Sequence, residues 1–394
     1  MSLGTRAPAV SIVVGLLAAA AALVALPAPA VFAAVFLSAA FLHGAIAWRR
    51  PVVRLALLNC SLLLMVFTVA EAAALWRAAP PLRDETTDAD GRDIRFRAHD
   101  VLGYGPPASA SVRWRRFSGA DLLFDVTYHT DAHARRITPQ VDGPHDCVLF
   151  LGDSFTFGAG VRDEQTLPHL VGTALAPRYA AVNFGFSGYG PHQALAAMEH
   201  GLIDAVGCRP RHAIYFAIPD HAMRAARQQP WDLHGPRYER AADGSAVARG
   251  HFDDPDAPRD GALSRLAMRA LSKSRLLDWL VVRPLTTVAS DADIALMVAV
   301  TQGQARWLQA HAPGCDFSVL FWDEPGSAVG ERILDALART PLRVDRVSAM
   351  LDGFASDPSQ YELHPRDRHP NPRAYALLAD ALVRRITSAP PGTR

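Results

Sequence analysis

Lysine is almost missing from this 394-residue sequence: Lys273 is the single one, so nearly every positive charge is arginine. With alanine so abundant, that reads as a compositional bias rather than as a bed of guanidinium sites. An excess of either sign of charge is missing too. Forty basic residues face 39 acidic ones, a formal net charge of +1. A nucleic-acid-binding domain would carry a basic footprint, and none is legible, so nucleic acid is excluded as a partner. Cysteine is scarce. The four present show no Cys/His spacing that a metal site uses, and no cofactor is expected. Cys60 lies in an apolar run, where it serves as a small apolar side chain. Cys208 and Cys315 each precede an expected strand, at what could be one sheet edge, and the sequence leaves open whether they are bonded.

Charge is rarest in the first 76 residues, which hold only Arg6, Arg49, Arg50, Arg54 and Glu71. A helix needs about 20 apolar residues to span a bilayer. Three stretches meet that length: about Ala7–Leu26, Ala28–Trp48 and Val52–Trp76. Prolines 27 and 29 separate the first two, and "WRRPVVR" separates the second from the third. Basic short loops stay cytoplasmic. That puts the arginine loop and Arg6 inside and everything after Trp76 outside. If the first stretch were a cleaved signal peptide, the arginine loop would still fix the third as in-to-out. The expectation is a bacterial inner-membrane protein, multi-pass and membrane-embedded, with its large domain in the periplasm. Glu71, near the outer end of the third stretch, is expected to face water or headgroups.

Beyond the anchor (1–78), "APPLRDETTDADGRD" opens a polar linker (79–99). A small β-rich pre-domain (100–145) follows, in which "SVRWRRF" and "LLFDVTY" read as a hairpin. From 146 to 390 strands and helices alternate, the signature of a parallel sheet covered on both faces. Strands are expected at Cys147–Leu151, Ala181–Phe184, Ala213–Ile218, Phe317–Trp322 and Val344–Met350. Helices are expected at Thr166–Leu175, Pro191–Val206, Ala292–Ala310, Glu331–Ala338 and Pro372–Ile386. An insertion at about 221–290 interrupts the alternation with a hairpin signal, "RYERAADGSAVARGHF", and a helical run, "LSRLAMRALSKSRLLDWL". Long insertions at strand ends are commonly lids or substrate-selecting elements; packing or subunit contact would explain this one equally well.

"VLFLGDSFTFGAG" places Ser154 directly after the first of these strands. A serine hydroxyl becomes a nucleophile only with a base to take its proton and a group to orient that base. "HPRDRHPNPRAY" supplies both: His369 directly precedes the last helix, and Asp367 sits two residues before it. His364 lacks the carboxylate and the helix, so His369 is the preferred base. Loops at the carboxyl ends of parallel strands are where sites form. Backbone donors for a developing oxyanion would come from Ser154 and from "VNFGFSGYG", where Gly188 can bring its N–H close to a ligand.

These three stretches resemble blocks of the SGNH, or GDSL-type, hydrolase superfamily. "GDSFTFG" is similar to its nucleophile block, "NFGFSGYG" to its glycine block and "DRHPN" to its last block. The resemblance covers about residues 146–386. It implies a flavodoxin-like three-layer α/β domain, with Ser154 as nucleophile and first oxyanion donor, Gly188 as second donor, and Asp367 and His369 completing the triad. Asp153 and Asn183 fall inside the matching blocks as binding-site candidates. One block departs. Family members carry Gly-x-Asn-Asp after the third strand, whereas this chain reads "YFAIPDHAMR", with Pro219 at the Asn position. Proline offers neither an amide side chain nor an N–H. Losing one oxyanion donor costs on the order of a hundredfold in rate. Asp220 and His221 are the candidate replacements. Similar loosening occurs in membrane-linked members that modify polysaccharides, including those similar to alginate O-acetyltransferases.

The reading that follows is a periplasmic serine esterase or O-acyltransferase acting on acyl, above all acetyl, esters of a cell-surface glycan or on a small ester. A membrane partner supplying acyl groups would fit a transferase. Two readings stay open beside it: a catalytically weak glycan-binding or scaffold protein, and a membrane-proximal lipase.

Overall fold

The structure is a computed structural model and describes residues 7–25, 28–91, 96–142, 145–204, 207–227, 229–258, 262–286 and 288–388. Arg6 and the Pro27 break lie outside the described residues. The chain divides into two compact units: residues 1–80 with 258–288, and residues 81–257 with 289–394.

In the first unit, apolar runs bounded by proline form three helices, Ala7–Ala25, Pro29–Ala47 and Pro51–Arg77. Among the described residues, Pro29–Ala47 and Pro51–Arg77 are long and apolar enough to cross a membrane. The first helix contributes a shorter apolar stretch, Val10–Ala22, so three spans are not established. Ser38 and Ser61 meet across the second and third helices, each hydroxyl within reach of the other's carbonyl (3.1 and 3.0 Å). Glu71 departs from expectation. It is 1% exposed, because its carboxylate accepts from Ser274 Oγ (2.7 Å) and from the amides of Arg275 (2.5 Å) and Leu276 (2.8 Å). The partner is the helical run of the insertion, Ala262–Leu271 followed by a continuous helical stretch from Arg275 to Thr286. The insertion expected within the α/β domain therefore splits, its second half joining the apolar helices.

The second unit is built on a five-stranded, all-parallel sheet: β1 (Asp146–Gly152), β2 (Tyr179–Asn183), β3 (Arg209–Ala217), β4 (Asp316–Phe321) and β5 (Arg343–Arg346), in spatial order β5-β4-β3-β1-β2. That is the flavodoxin-like order, whose reversal point lies between β1 and β3. Successive side chains of a strand point to opposite faces, and the core divides accordingly. Val148 and Phe150 pack with Leu167, Val171, Tyr375, Leu378, Leu382 and Ile386 on one side. Cys147, Leu149 and Leu151 pack with Met198, Met297, Leu308, Ile333 and Leu337 on the other. The helices responsible are Leu167–Leu175 and Pro372–Ser388 on the first face, and Pro191–Glu199, Asp291–His311 and Ala328–Leu337 on the second.

Several sequence expectations are corrected. The helix from Pro191 ends at Glu199, short of the expected Val206, and the fifth strand gives way to a 3-10 turn at Val347–Ala349. Residues 82–87, expected as linker, form a strand paired antiparallel with Ser111–Ser118, which pairs in turn with Asp121–His129. The polar side chains that suggested a linker suit an edge strand. Cys208 is bonded to Cys147, not to Cys315, which is free. Adjacency of β1 and β3 in the sheet brings those two Cα atoms to 5.9 Å. The insertion's hairpin is present, Pro236–Arg240 with Ala246–His251, turning at Gly244 with φ +85°.

Candidate active site

β1 delivers Ser154 through a turn only glycine permits. Gly152 has φ +146°, and a Cβ there would meet Thr156 Oγ1 at 2.3 Å and the Phe216 carbonyl at 2.7 Å. Asp153 then caps a single helical turn, Ser154–Phe157, its carboxylate accepting from the Phe155 amide at 2.9 Å. Ser154 heads that turn and is only 7% exposed.

The loop before the last helix meets it. His369 Nε2 lies 2.8 Å from Ser154 Oγ, and His369 Nδ1 is hydrogen-bonded to Asp367 Oδ1, so serine, imidazole and carboxylate form one continuous relay. His364 takes no part; its Nδ1 accepts from the Arg366 amide instead. Burial by itself would raise the Asp367 carboxyl. The hydrogen bond and charge of His369 and the charge of Arg116 outweigh it and hold the group down to about 2.

Arg116 is the residue the sequence reading missed. Its Nη1 donates to Asp367 Oδ2 at 3.0 Å, while Nε and Nη2 form a fork on Asp84 Oδ1 and Oδ2 at 2.7 and 2.9 Å. The triad carboxylate thus has one oxygen on the imidazole and one on a guanidinium fixed by the pre-domain sheet. A signal was present: Val112, Trp114 and Arg116 alternate along one strand, and the first two are buried.

The glycine loop after β2 is pinned by its carbonyls. Tyr104 Oη donates to Ser187 O at 2.9 Å, Trp231 Nε1 to Gly188 O at 3.3 Å and Arg224 Nη1 to Tyr189 O at 2.8 Å. Gly188 has φ +81°, and any Cβ would strike Trp231 and Tyr104. In a trans peptide the N–H points away from the preceding carbonyl, so the Gly188 N–H is directed opposite the Tyr104 hydroxyl. Asn183 ties the loop to the serine turn: its amide donates to Thr156 O (3.1 Å) and its carbonyl accepts from Gly185 N (2.9 Å). With both ends engaged, Asn183 is a brace rather than a substrate ligand.

The candidate replacements for the missing Asn are not oriented as such. Asp220 is exposed at the start of the helix His221–Ala226. His221 is fully buried, with Tyr215 Oη 2.6 Å from Nδ1 and Asp153 Oδ2 3.3 Å from Nε2. The chain enters a helix at His221, with Asp220 at its N-cap position, and the His221 ring meets Tyr215 and Asp153. Arg224 completes the arrangement by donating to Asp153 Oδ2 at 2.7 Å. Burial would raise the Asp153 carboxyl, but His221 and Arg224 hold it well below the usual carboxylate range. Burial pushes the His221 imidazole down, against the pull of the Asp153 carboxylate. Asp153 is therefore a charge-compensated anchor beneath Ser154.

No family model matches the chain, and no curated protein matches it. Solved structures with a similar course include a member of the lipolytic G-D-S-L family from Veillonella parvula, 12% identical, TM-score 0.34, covering 62% of this chain and 100% of its own. An acetyl xylan esterase from Butyrivibrio proteoclasticus is 13% identical, TM-score 0.31, covering 70% and 72%. A carbohydrate esterase described as having divergent catalytic and non-catalytic binding functions is 10% identical, TM-score 0.36, covering 80% and 99%.

Proposed function

We propose that the chain is a membrane-anchored serine esterase or O-acyltransferase of the SGNH type, acting outside the cytoplasm on acyl esters, above all acetyl esters, of a cell-surface glycan. The observation that carries this reading is the 2.8 Å approach of His369 Nε2 to Ser154 Oγ, with Asp367 behind the imidazole. Ser154 Oγ attacks the acyl carbon while His369 accepts its proton. The oxyanion is met by the amides of Ser154 and Gly188. His369 returns the proton to the departing alcohol, leaving an acyl-enzyme that passes to water in an esterase or to a sugar hydroxyl in a transferase. For a transferase, a membrane partner would supply the acyl donor.

The membrane half of the proposal is supported by the two long apolar helices, by Arg49 and Arg50 between them and by Arg54 in the first turn of the second. The Cys147–Cys208 disulfide adds support, since such bonds persist in oxidising compartments. The test is p-nitrophenyl acetate turnover by the full chain in detergent. Ser154→Ala is expected to lower it by on the order of 10^6-fold; equal rates would sink the serine mechanism. Pro219, which removes a donor, favours a second reading as a glycan-binding scaffold. Glycan binding that survives Ser154→Ala, in a protein with no turnover before the substitution, would establish that alternative.

A further inference from the structure

The second half of the insertion has apolar side chains that no described residue covers. Leu263 is 82% exposed and Trp279 64%, with Leu266 and Leu280 also exposed. Between and after them stand Arg269, Lys273, Arg275 and Arg283, and residues 258–288 hold six basic residues against two acidic ones, Asp260 and Asp278. A helical segment with exposed leucine and tryptophan beside a basic excess matches an element lying in a lipid interface.

Its depth is set by Glu71. Along the third apolar helix Arg54 and Glu71 stand about 25 Å apart at 1.5 Å per residue, close to the ~30 Å hydrocarbon thickness. A carboxylate that accepts from Ser274 Oγ and two amides therefore fastens Ser274–Leu276 where hydrocarbon gives way to headgroups. That position explains why Glu71 is buried by protein yet tolerated in an apolar helix.

We propose that residues 262–286 form an interfacial element seated in the outer leaflet, with Leu263, Leu266, Trp279 and Leu280 at the acyl boundary and the basic residues against the phosphates of anionic lipids. The proposal rests on the membrane-anchor reading above. Electrostatic attraction of this kind is worth about 1 kcal/mol per basic residue near an anionic surface, a roughly fivefold change in binding for each.

The test uses the full chain in phosphatidylcholine vesicles with and without phosphatidylglycerol, on a Cys60→Ser, Cys315→Ser background. An environment-sensitive fluorophore is attached through Trp279→Cys, through Val66→Cys in the third helix, or through Asp243→Cys in the exposed hairpin turn. Nitroxide-bearing lipids are expected to quench the label at 279 several-fold more than the label at 243. Phosphatidylglycerol should strengthen that quenching, and Arg269→Gln with Lys273→Gln should abolish the gain. A label at 279 open to aqueous iodide and untouched by nitroxide lipid, while that at 66 is quenched, overturns the proposal and leaves the anchor standing. Protection at 279 from both quenchers overturns it in favour of a protein cover. A label at 66 that also escapes nitroxide lipid overturns the anchor reading and this proposal together.

Discussion

At Ser154, reactivity is a matter of what lies beneath and behind one hydroxyl. Behind it, Asp367 is held by His369 on one oxygen and by Arg116 on the other. Replacing Arg116 with Met would leave the buried Asp367 carboxylate without its guanidinium partner, which costs about 3 kcal/mol. The expected outcome is lower kcat with little change in KM, together with a lower denaturant midpoint. Arg116→Lys should recover stability more than kcat, since a lysine cannot reproduce the fork. A kcat unchanged in both variants would show that Arg116 has no positioning role. Acid stability follows from the same carboxylate. Asp367 titrates near 2 in the folded chain against an ordinary 3.8, so its contribution is fully present above about pH 4 and is lost as pH falls toward 2. By linkage that contribution is about 2 kcal/mol. Asp367→Asn should flatten this part of the acid-unfolding curve. That Ser154, His369 and Asp367 would meet was legible because each lies in a short motif beside a strand or helix boundary. Arg116 was not, because its partners lie 32 residues before and 251 after it. Asp220 and His221 were misjudged because the facing of a side chain at a strand end depends on how the chain leaves the sheet, and a helix starts there at His221.

Among the elements, periodicity gave the five parallel strands and the helices that cover them, with ends within a few residues in most cases. The strands that follow Cys208 and Cys315 are parallel neighbours, as the sequence suggests; what the spacing did not show is that Cys147, inside β1 on the other side of β3, lies nearer to Cys208 than Cys315 does. The bond closes a 61-residue separation, for which loop-closure entropy suggests about 4 kcal/mol. Reduction, or Cys208→Ala, is expected to lower stability by up to that amount in urea unfolding. An unchanged midpoint under reducing conditions would show that the sheet alone fixes β1 against β3. The third apolar helix offers a second element-scale case. Its Glu71 carboxylate holds the insertion helix through three hydrogen bonds, so Glu71→Ala should expose residues 262–286 to limited proteolysis while ester hydrolysis persists. Equal protease resistance would contradict the capping role.

For the whole molecule, the chain crosses between its two units three times, at about residues 80, 257 and 288, so the α/β unit is tied to the apolar helices by more than an N-terminal leash. If Arg49, Arg50 and Arg54 stay inside, alkaline phosphatase fused after Arg394 should be active and a fluorescent protein fused there dark; the reverse pattern would invert the topology. The proposed chemistry begins at Ser154. Incubating the full chain with a fluorophosphonate and mapping the adduct by mass spectrometry addresses it without knowledge of the substrate. The expected result is a near-stoichiometric adduct on Ser154, formed on the order of 10^3-fold more slowly or not at all in His369→Ala. An unlabelled Ser154, or labelling as fast without His369 as with it, would contradict the relay on which the proposed chemistry depends.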